Sequence, residues 1–568
     1  MRKLIKTKPK TNQEPAAQTT VATLEKKSTF EYVVVNLICL FAFLAFGYIA
    51  IMSFFQTSVL DPQAYSSEII LYETDNLLLN LFFTAILVIF LFIMRRFYDF
   101  FAKVNMRVME IALGVYVLLL GMLWIFSVTS IPAADSANIF ETAGQAAEGN
   151  YSTLNNFSEF YNKDFYQGYS YFNFYPFQLG FVLISELIYR IFGSESSMPV
   201  QVLNVIATAA AYVGLALITK LLFKKRSVEF IAILLLACCF QPILFCTFVY
   251  GNILGMSLGI WSCYFLIKYF QTNSWKMLIP CGVLLVLSTI AKYNNMIYLV
   301  AFVIMLIVHT VKHKKWQSIA FALAVCIATV GSSSLIIAFY ESKSESGFSS
   351  SGMSQVLYLD MGLQESGRAP GWYTRTGIDV FLKNKLDSSA ANKEAWGEIG
   401  DRIKKFSSDG EYTVDFFSKK ILSQWNEPTF ESIWVSKVKG HTNPVLADSL
   451  GDQVYNKSLG QFLELHFELY IRVLYVLFAA GIYLMFIRKK TNIATVLLPL
   501  IVMGGFGYHM LCEAKSQYIL TYIPLMIPTA AYALQIILFS DYKGLKKVME
   551  KINSIPNDNP LFKHSKTK

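Results

Sequence analysis

The sequence predicts an all-α polytopic membrane protein, and three observations carry that prediction. Of 568 residues, 54% are hydrophobic and only 15% charged, a balance that an ordinary soluble domain does not show. The apolar residues gather into runs of the roughly 20 that a helix needs to cross a hydrocarbon core about 30 Å thick. Clusters of Lys and Arg return between those runs, as they do in the cytoplasmic loops of membrane proteins.

About twelve spans are expected on that length rule: Val33–Phe55, Leu77–Met94, Val108–Thr129, Val200–Leu221, Phe230–Val249, Ile253–Phe270, Met277–Ala291, Met296–Val311, Ser318–Phe339, Tyr470–Ile487, Ile493–Leu511 and Ile519–Phe539. Residues 1–30 form a basic tail with no cleavage signal after the first span. Residues 31–107 hold two spans, 108–339 the main transmembrane core, 340–468 a polar extracytoplasmic domain, 469–540 the last spans and 541–568 a second basic tail. The clusters Arg95/Arg96, Lys224/Lys225/Arg226, Lys312/Lys314/Lys315, Arg488/Lys489/Lys490 and Lys543/Lys546/Lys547 orient the bundle with both termini in the cytoplasm. A net charge of +10 suits the anionic inner leaflet and calls for no nucleic acid.

That orientation leaves Phe177–Phe192 between two outer segments, so it is not expected to cross. Phe177, Phe181, Ile184, Ile188 and Ile191 share one face, while Gln178, Ser185, Glu186 and Tyr189 share another, the pattern of a helix lying along the outer surface. Glu186 and Arg190 are spaced for an i,i+4 ion pair. In the outer domain GIDVFLKNKL, NKEAWGEIGDRIKKF and YTVDFFSKKILSQW read as helices, the last of them resting on the membrane. The eight cysteines fall in or beside spans with neither disulfide nor zinc spacing. Walker A, GxGxxG, HExxH and GxSxG motifs are all missing, which removes the main support for ATP-driven transport and the familiar hydrolases.

One polar, aromatic-rich loop, Ile131 to Pro176, interrupts the pattern; it begins IPAADSANIFETA and ends YFNFYP. A membrane helix ending in IPAADS, a long outer loop, the surface helix FYPFQLGFVLISELIYRIFG and then a span followed by basic residues together resemble the start of GT-C glycosyltransferases. Protein O-mannosyltransferases and lipid A aminoarabinose transferases are families of this type. The resemblance runs from about Val108 to Phe339 and includes the final helices, with Tyr175-Pro176-Phe177 where those families commonly have His-Pro-Pro. It implies a GT-C-like bundle that transfers a sugar from a polyprenyl-phosphate donor to a cell-envelope glycan or similar acceptor at the outer face of the cell membrane.

Asp135 matches the acid that follows the first core helix in those families, and a carboxylate there can take the proton of an attacking hydroxyl. Its structural role would be N-cap of SANIFETAGQAA. Lys292, in STIAKYNNMIY, and Lys515, in CEAKSQYILTYIPL, resemble family segments that meet the donor phosphate; the bland reading is a pair of snorkelling lysines. Glu141 either lines the acceptor cleft or is a solvated helix residue. Glu513 either lines the cleft or pairs locally with Lys515. Tyr250 and Asn252 either touch sugar hydroxyls or serve a turn. Tyr166, Tyr169, Tyr171, Phe172, Phe174 and Tyr175 stack on sugar or, more in keeping with their type, anchor the loop at the headgroups. No DxD or His/Asp/Glu cluster suggests a metal, and two lysines suffice for a lipid monophosphate, so neither metal nor cofactor is expected. The expected partners are the lipid-linked sugar, the acceptor and membrane lipid. The rival reading is a transporter or flippase of lipid-linked saccharide, which would bring mid-membrane charges and related halves.

Overall fold

A computed structural model describes residues 28–97, 103–155, 165–345, 352–437, 441–442 and 445–539. Both terminal tails, the Lys543/Lys546/Lys547 cluster and part of the Ile131–Pro176 loop therefore lie outside the described residues. The chain is an all-helical, multi-pass membrane protein. Eight of its described helices are long and apolar enough to cross unaided, beginning with Thr29–Met52, Leu77–Met94 and Met106–Val128 and ending with Ser458–Ile487. The other four expected spans are helical but differ from simple crossings, so the count of twelve is not established. Arg226–Ala237 and Gln241–Thr247 meet at a 43° bend, and Trp275–Ala291, Leu497–Leu511 and Ile523–Phe539 are shorter apolar helices. Pro242, in the first turn of the second half, supplies a cause for the bend, because proline starts a helix readily and cannot continue one.

Local sequence sets the helix ends. Ser28, Asn76 and Asn105 cap their helices by accepting backbone N–H bonds. Lys224 and Lys314 close theirs in left-handed conformation at φ 50° and 53°, placing positive charge at the negative end of the helix dipole.

The first two membrane helices are joined by an antiparallel hairpin, Gln56–Leu60 with Ile70–Thr74, which the all-helical reading did not contain. A second two-residue pairing joins Ser130–Ile131 to His441–Thr442. The hairpin is tied down through charge. Asp75 Oδ2 accepts from Thr57 Oγ1 (2.9 Å) and Asn80 Nδ2 (3.0 Å), and it pairs with Arg472 Nη2 at 3.3 Å. Arg472 is 3% exposed, and its Nε donates to the Ser53 carbonyl at 2.8 Å. Phe46 of the first helix packs edge-on against Trp425 and Phe478, with ring centroids 5.1 and 5.0 Å apart. The first helix is thus part of the common core, whereas Leu77–Met94 buries only Asn80.

Leu179–Phe192 is a 14-residue helix, about 21 Å long at 1.5 Å per residue and too short for a bilayer core. Its polar face is the one packed on protein. Ser185, Glu186 and Tyr189 are buried, whereas Leu187, Ile191 and Phe192 are exposed. Glu186 pairs with Arg190 at 2.7 Å, as the i,i+4 spacing predicts, and also accepts from the Tyr340 hydroxyl at 2.5 Å.

On the side of the hairpin lie Gln355–Gly362, Thr376–Lys383, Ser388–Ser408 and Gly410–Trp425. The last of these does not rest on a membrane: Phe416, Lys420, Ile421 and Trp425 are all buried. The Lys420 ammonium donates to the carbonyls of Gly362 and, at 2.9 Å, Cys512, and this pins the helix to the segment that enters the final helices.

The Asp75–Arg472 pair yields a test. Arg472→Leu should cost about 3–5 kcal/mol of stability, because Asp75 is left without its charge partner. Adding Asp75→Asn should recover part of that loss in thermal unfolding of the detergent-solubilised chain. Equal stability of all three proteins would show that the pair does not hold the hairpin.

Candidate active site

One end of the bundle encloses a cleft of about 320 Å³ lined by Asp135, Tyr175, Tyr250, Lys292, Glu513 and Lys515. Those six residues, scattered over the sequence, are brought together by the fold.

Asp135 opens the Asp135–Ala147 helix from its first position and is not the N-cap. The cap is Ala134, held at φ 52° and ψ −135° without a side-chain bond, while Ser136 bonds both the N–H and the carbonyl of Ala133. A non-glycine residue in that region is strained, a state usually kept where surroundings or function require it. The consequence is an Asp135 side chain facing the cleft.

Lys292 ends the Leu278–Ala291 helix and turns the chain into Met296–His313. Its turn is seated by two close backbone approaches. A Cβ on Gly251 would lie 1.7 Å from the Ala291 carbonyl oxygen, and one on Gly180 would lie 2.2 Å from that of Ile290. Ser288 Oγ donates to the Gly255 carbonyl at 2.7 Å, and Asn295 Nδ2 donates back to Ser288 Oγ at 3.0 Å. The Lys292 ammonium sits 3.9 Å from the Tyr250 ring centroid and makes no ion pair among the described residues. Burial pushes it down to about 7, against the pull of the Asp135 and Glu513 carboxylates.

Lys515 stands differently. It is 5% exposed, and its Nζ lies 2.5 Å from Glu68 Oε1 and 3.3 Å from Glu431 Oε2, with the Trp434 ring centroid 5.0 Å away. It is therefore not a snorkelling lysine, and its ion pairs are with Glu68 and Glu431. Its segment is held by the outer helices, since Glu513 N–H donates to the Tyr358 carbonyl and Ala514 N–H to that of Gly371. Glu513 accepts from the Tyr518 hydroxyl at 3.1 Å. Burial raises its carboxyl to about 7; Lys515 and the Tyr518 bond lower it, and Asp135 raises it.

Glu141 and Asn252 do not line the cleft. Six residues at 100° each carry Glu141 about 240° around the helix from Asp135. Asn252 begins the Asn252–Thr272 helix just past the Gly251 contact and is 3% exposed within the packing. The loop aromatics are corrected as well. Tyr166, Tyr171 and Tyr175 line the cleft and Phe172 and Phe174 are buried; only Tyr169 is exposed. Burial holds the phenols of Tyr171, Tyr175 and Tyr250 well above the usual range, so they remain neutral hydrogen-bonding groups.

Glu68, Gln178, Tyr358, Arg368, Tyr373, His509, Gln517 and Tyr518 also line the cleft, and sequence reasoning missed them. Arg368 pairs with Glu68 Oε2 at 2.5 Å and lies over the Tyr373 ring. Neither GRAPGW nor YSSEII carries a motif that would have marked those residues. Among the described residues no group of three or more His, Cys, Asp or Glu side chains is placed to hold a metal ion.

Residues 179–337 match the family model described as dolichyl-phosphate-mannose-protein mannosyltransferase. The matched stretch lies within residues 108–339, where the sequence resembles GT-C glycosyltransferases. The matched stretch carries the Lys292 turn, Tyr250 and both close glycine contacts. Among solved structures the chain is similar to an oligosaccharyltransferase of Archaeoglobus fulgidus, in complex with Zn and sulfate, at 14% identity and a TM-score of 0.38. The match covers 78% of this chain and 49% of that one, so the chain spans about half the length of that relative. No curated protein matches.

The Lys292 geometry predicts a pH dependence. With its pKa lowered from 10.5 to about 7, the ammonium is charged below that value and loses its charge as pH rises through it. Affinity for a prenyl phosphodiester, whose own charge is constant, should therefore fall between about pH 6 and 8 in titrations of the purified protein. Lys292→Arg should weaken that dependence and leave the share due to the Glu513 carboxyl, raised to about 7 in the same cleft; an identical profile in the variant would assign the whole effect elsewhere.

Proposed function

We propose that this chain is a membrane glycosyltransferase that moves a sugar from a polyprenyl-phosphate donor to a hydroxyl on a cell-envelope glycan or protein. The observation that carries the reading is one cleft at the end of the bundle with Asp135 and Lys292 on its wall, Lys292 lying within the stretch that matches the mannosyltransferase family model. In the reaction the acceptor hydroxyl gives its proton to Asp135 as its oxygen attacks the anomeric carbon. The bond from that carbon to the phosphate oxygen breaks, and the electron pair stays on the phosphate. Lys292 compensates the charge that develops, in a setting where burial strengthens the interaction.

Further features of the cleft fit a hydroxylated ring on a lipid phosphate. Tyr358 Oη, His509 Nε2 and Gln517 Oε1 are buried in its wall with no hydrogen-bond partner among the described residues, a costly condition that sugar hydroxyls would relieve. Phe177 and Tyr293 also border a second cavity, of about 210 Å³, lined by Gly180, Ile290, Met296, Val330, Ile336 and Ile337. That continuation, which Thr289, Thr329, Ser333 and Ser334 also line, is where an isoprenoid tail would enter sideways from the bilayer. With the basic loops inside, the cleft opens at the extracytoplasmic face and both termini lie in the cytoplasm.

Asp135→Asn keeps the size of the side chain and removes its charge, so transfer should fall about 10²-fold or more while insertion and thermal unfolding stay as in the parent. The measurement is transfer of labelled sugar from a polyprenyl-monophosphate donor to an envelope acceptor. Near-normal turnover by the Asn variant would remove Asp135 from the mechanism. Lys292→Ala should slow the same assay, and an unchanged rate would mean that the phosphate lies elsewhere.

A further inference from the structure

The hairpin that joins the first two membrane helices reaches into the cleft. Glu68, just before its second strand, adopts φ 59° and is 4% exposed. Its two carboxylate oxygens face different cations: Oε1 lies 2.5 Å from Lys515 Nζ, and Oε2 lies 2.5 Å from Arg368 Nη1. Backbone contact fixes the approach, since Ile70 N–H donates to the Arg368 carbonyl at 3.0 Å. Glu431 Oε2 lies 3.3 Å from the same lysine, and Glu431 Oε1 accepts from Ser516 Oγ at 3.0 Å.

Two cations therefore face two carboxylates, and the cluster is balanced before any substrate arrives. Arg368 spans two oxygens of one anion with Lys515, the kind of grip that guanidinium and ammonium groups apply to a phosphate. Glu68 occupies that grip. It comes from an element outside the matched GT-C stretch, and of the two acids it is the one carried on a short loop between strands rather than packed at 0% exposure as Glu431 is.

Resting on the transferase reading above, we propose that Glu68 is an internal anion that competes with the lipid phosphate for Arg368 and Lys515 and so promotes release of the product. The chemistry gives such a competitor a purpose. When the glycosyl bond breaks, the lipid phosphate is left with one more negative charge than the donor carried, and three cations would hold it more tightly than the substrate. A carboxylate that reclaims two of them frees it. The N-terminal pair of membrane helices is then a working part of the donor site.

The test is binding of farnesyl monophosphate to the purified full chain in detergent, followed by calorimetry. Glu68→Gln keeps the side-chain shape and removes one negative charge, so the dissociation constant should fall about tenfold, and steady-state transfer should become slower at saturating donor. Arg368→Gln shifts the same cluster by one charge the other way and should weaken binding by a similar factor; it carries the test if Glu68→Gln does not fold. Inorganic phosphate, which shares the head group, should displace farnesyl monophosphate at lower concentration from Glu68→Gln than from the parent. Unchanged or weaker binding by Glu68→Gln, or a shift absent with inorganic phosphate, overturns the proposal by making Glu68 a strut or a contact to the tail. No saturable binding to the parent chain would instead overturn the lipid-phosphate reading itself, and the proposal with it.

Discussion

Lys292 keeps a positive charge inside the protein against an aromatic face and without a carboxylate in contact, and much of the cleft is arranged around that placement. It is possible because the backbone closes at Gly251 and Gly180, where a single added carbon would collide with the carbonyls of Ala291 and Ile290. The same contacts bring the Asn252–Thr272 helix, the surface helix Leu179–Phe192 and the Lys292 turn to one point. Tyr250 and Gln178, one from each side of that junction, hydrogen-bond across it. The ammonium is partly exposed at the cleft wall, where an anionic ligand can reach it.

The cleft divides its charges between two jobs. Asp135 and Lys292 are the residues to which the proposed reaction gives the roles of proton acceptor and phosphate partner. Lys515, Arg368, Glu68 and Glu431 form a connected set of ion pairs. Glu513 stands between these arrangements with a raised carboxyl pKa, sensing both Lys515 and Asp135. The walls are tyrosines held neutral by burial, which lets them offer hydrogen bonds without adding charge.

The sequence disclosed the parts of this structure that obey periodicity and charge. Membrane helices announce themselves because lipid demands a continuous apolar stretch, and Leu179–Phe192 stood apart because its polar residues fall on one face. Asp135, Lys292 and Lys515 were legible because an ionisable residue beside an apolar run is conspicuous. What stayed hidden depends on contacts between distant segments. Glu68 and Arg368 lie 300 positions apart in unremarkable loops, and only the packing of the hairpin on the outer helices joins them. Glu141 was placed in the cleft by proximity along the chain, although its position around the helix turns it away. The helix at Gly410–Trp425 was read as a membrane-surface element from its aromatic residues, whereas Lys420 reaching the Gly362 and Cys512 carbonyls shows why it is buried.

In the proposed reaction this cleft breaks the sugar–phosphate bond rather than carrying the intact lipid across the bilayer. The fate of the donor decides between them. The parent chain, reconstituted in vesicles with a polyprenyl-monophosphate sugar labelled in its lipid and an acceptor supplied outside, should convert the label to free polyprenyl phosphate as glycosylated acceptor accumulates. Recovery of the intact donor on the opposite leaflet, with no free polyprenyl phosphate, would contradict the account and make the protein a carrier of lipid-linked sugar.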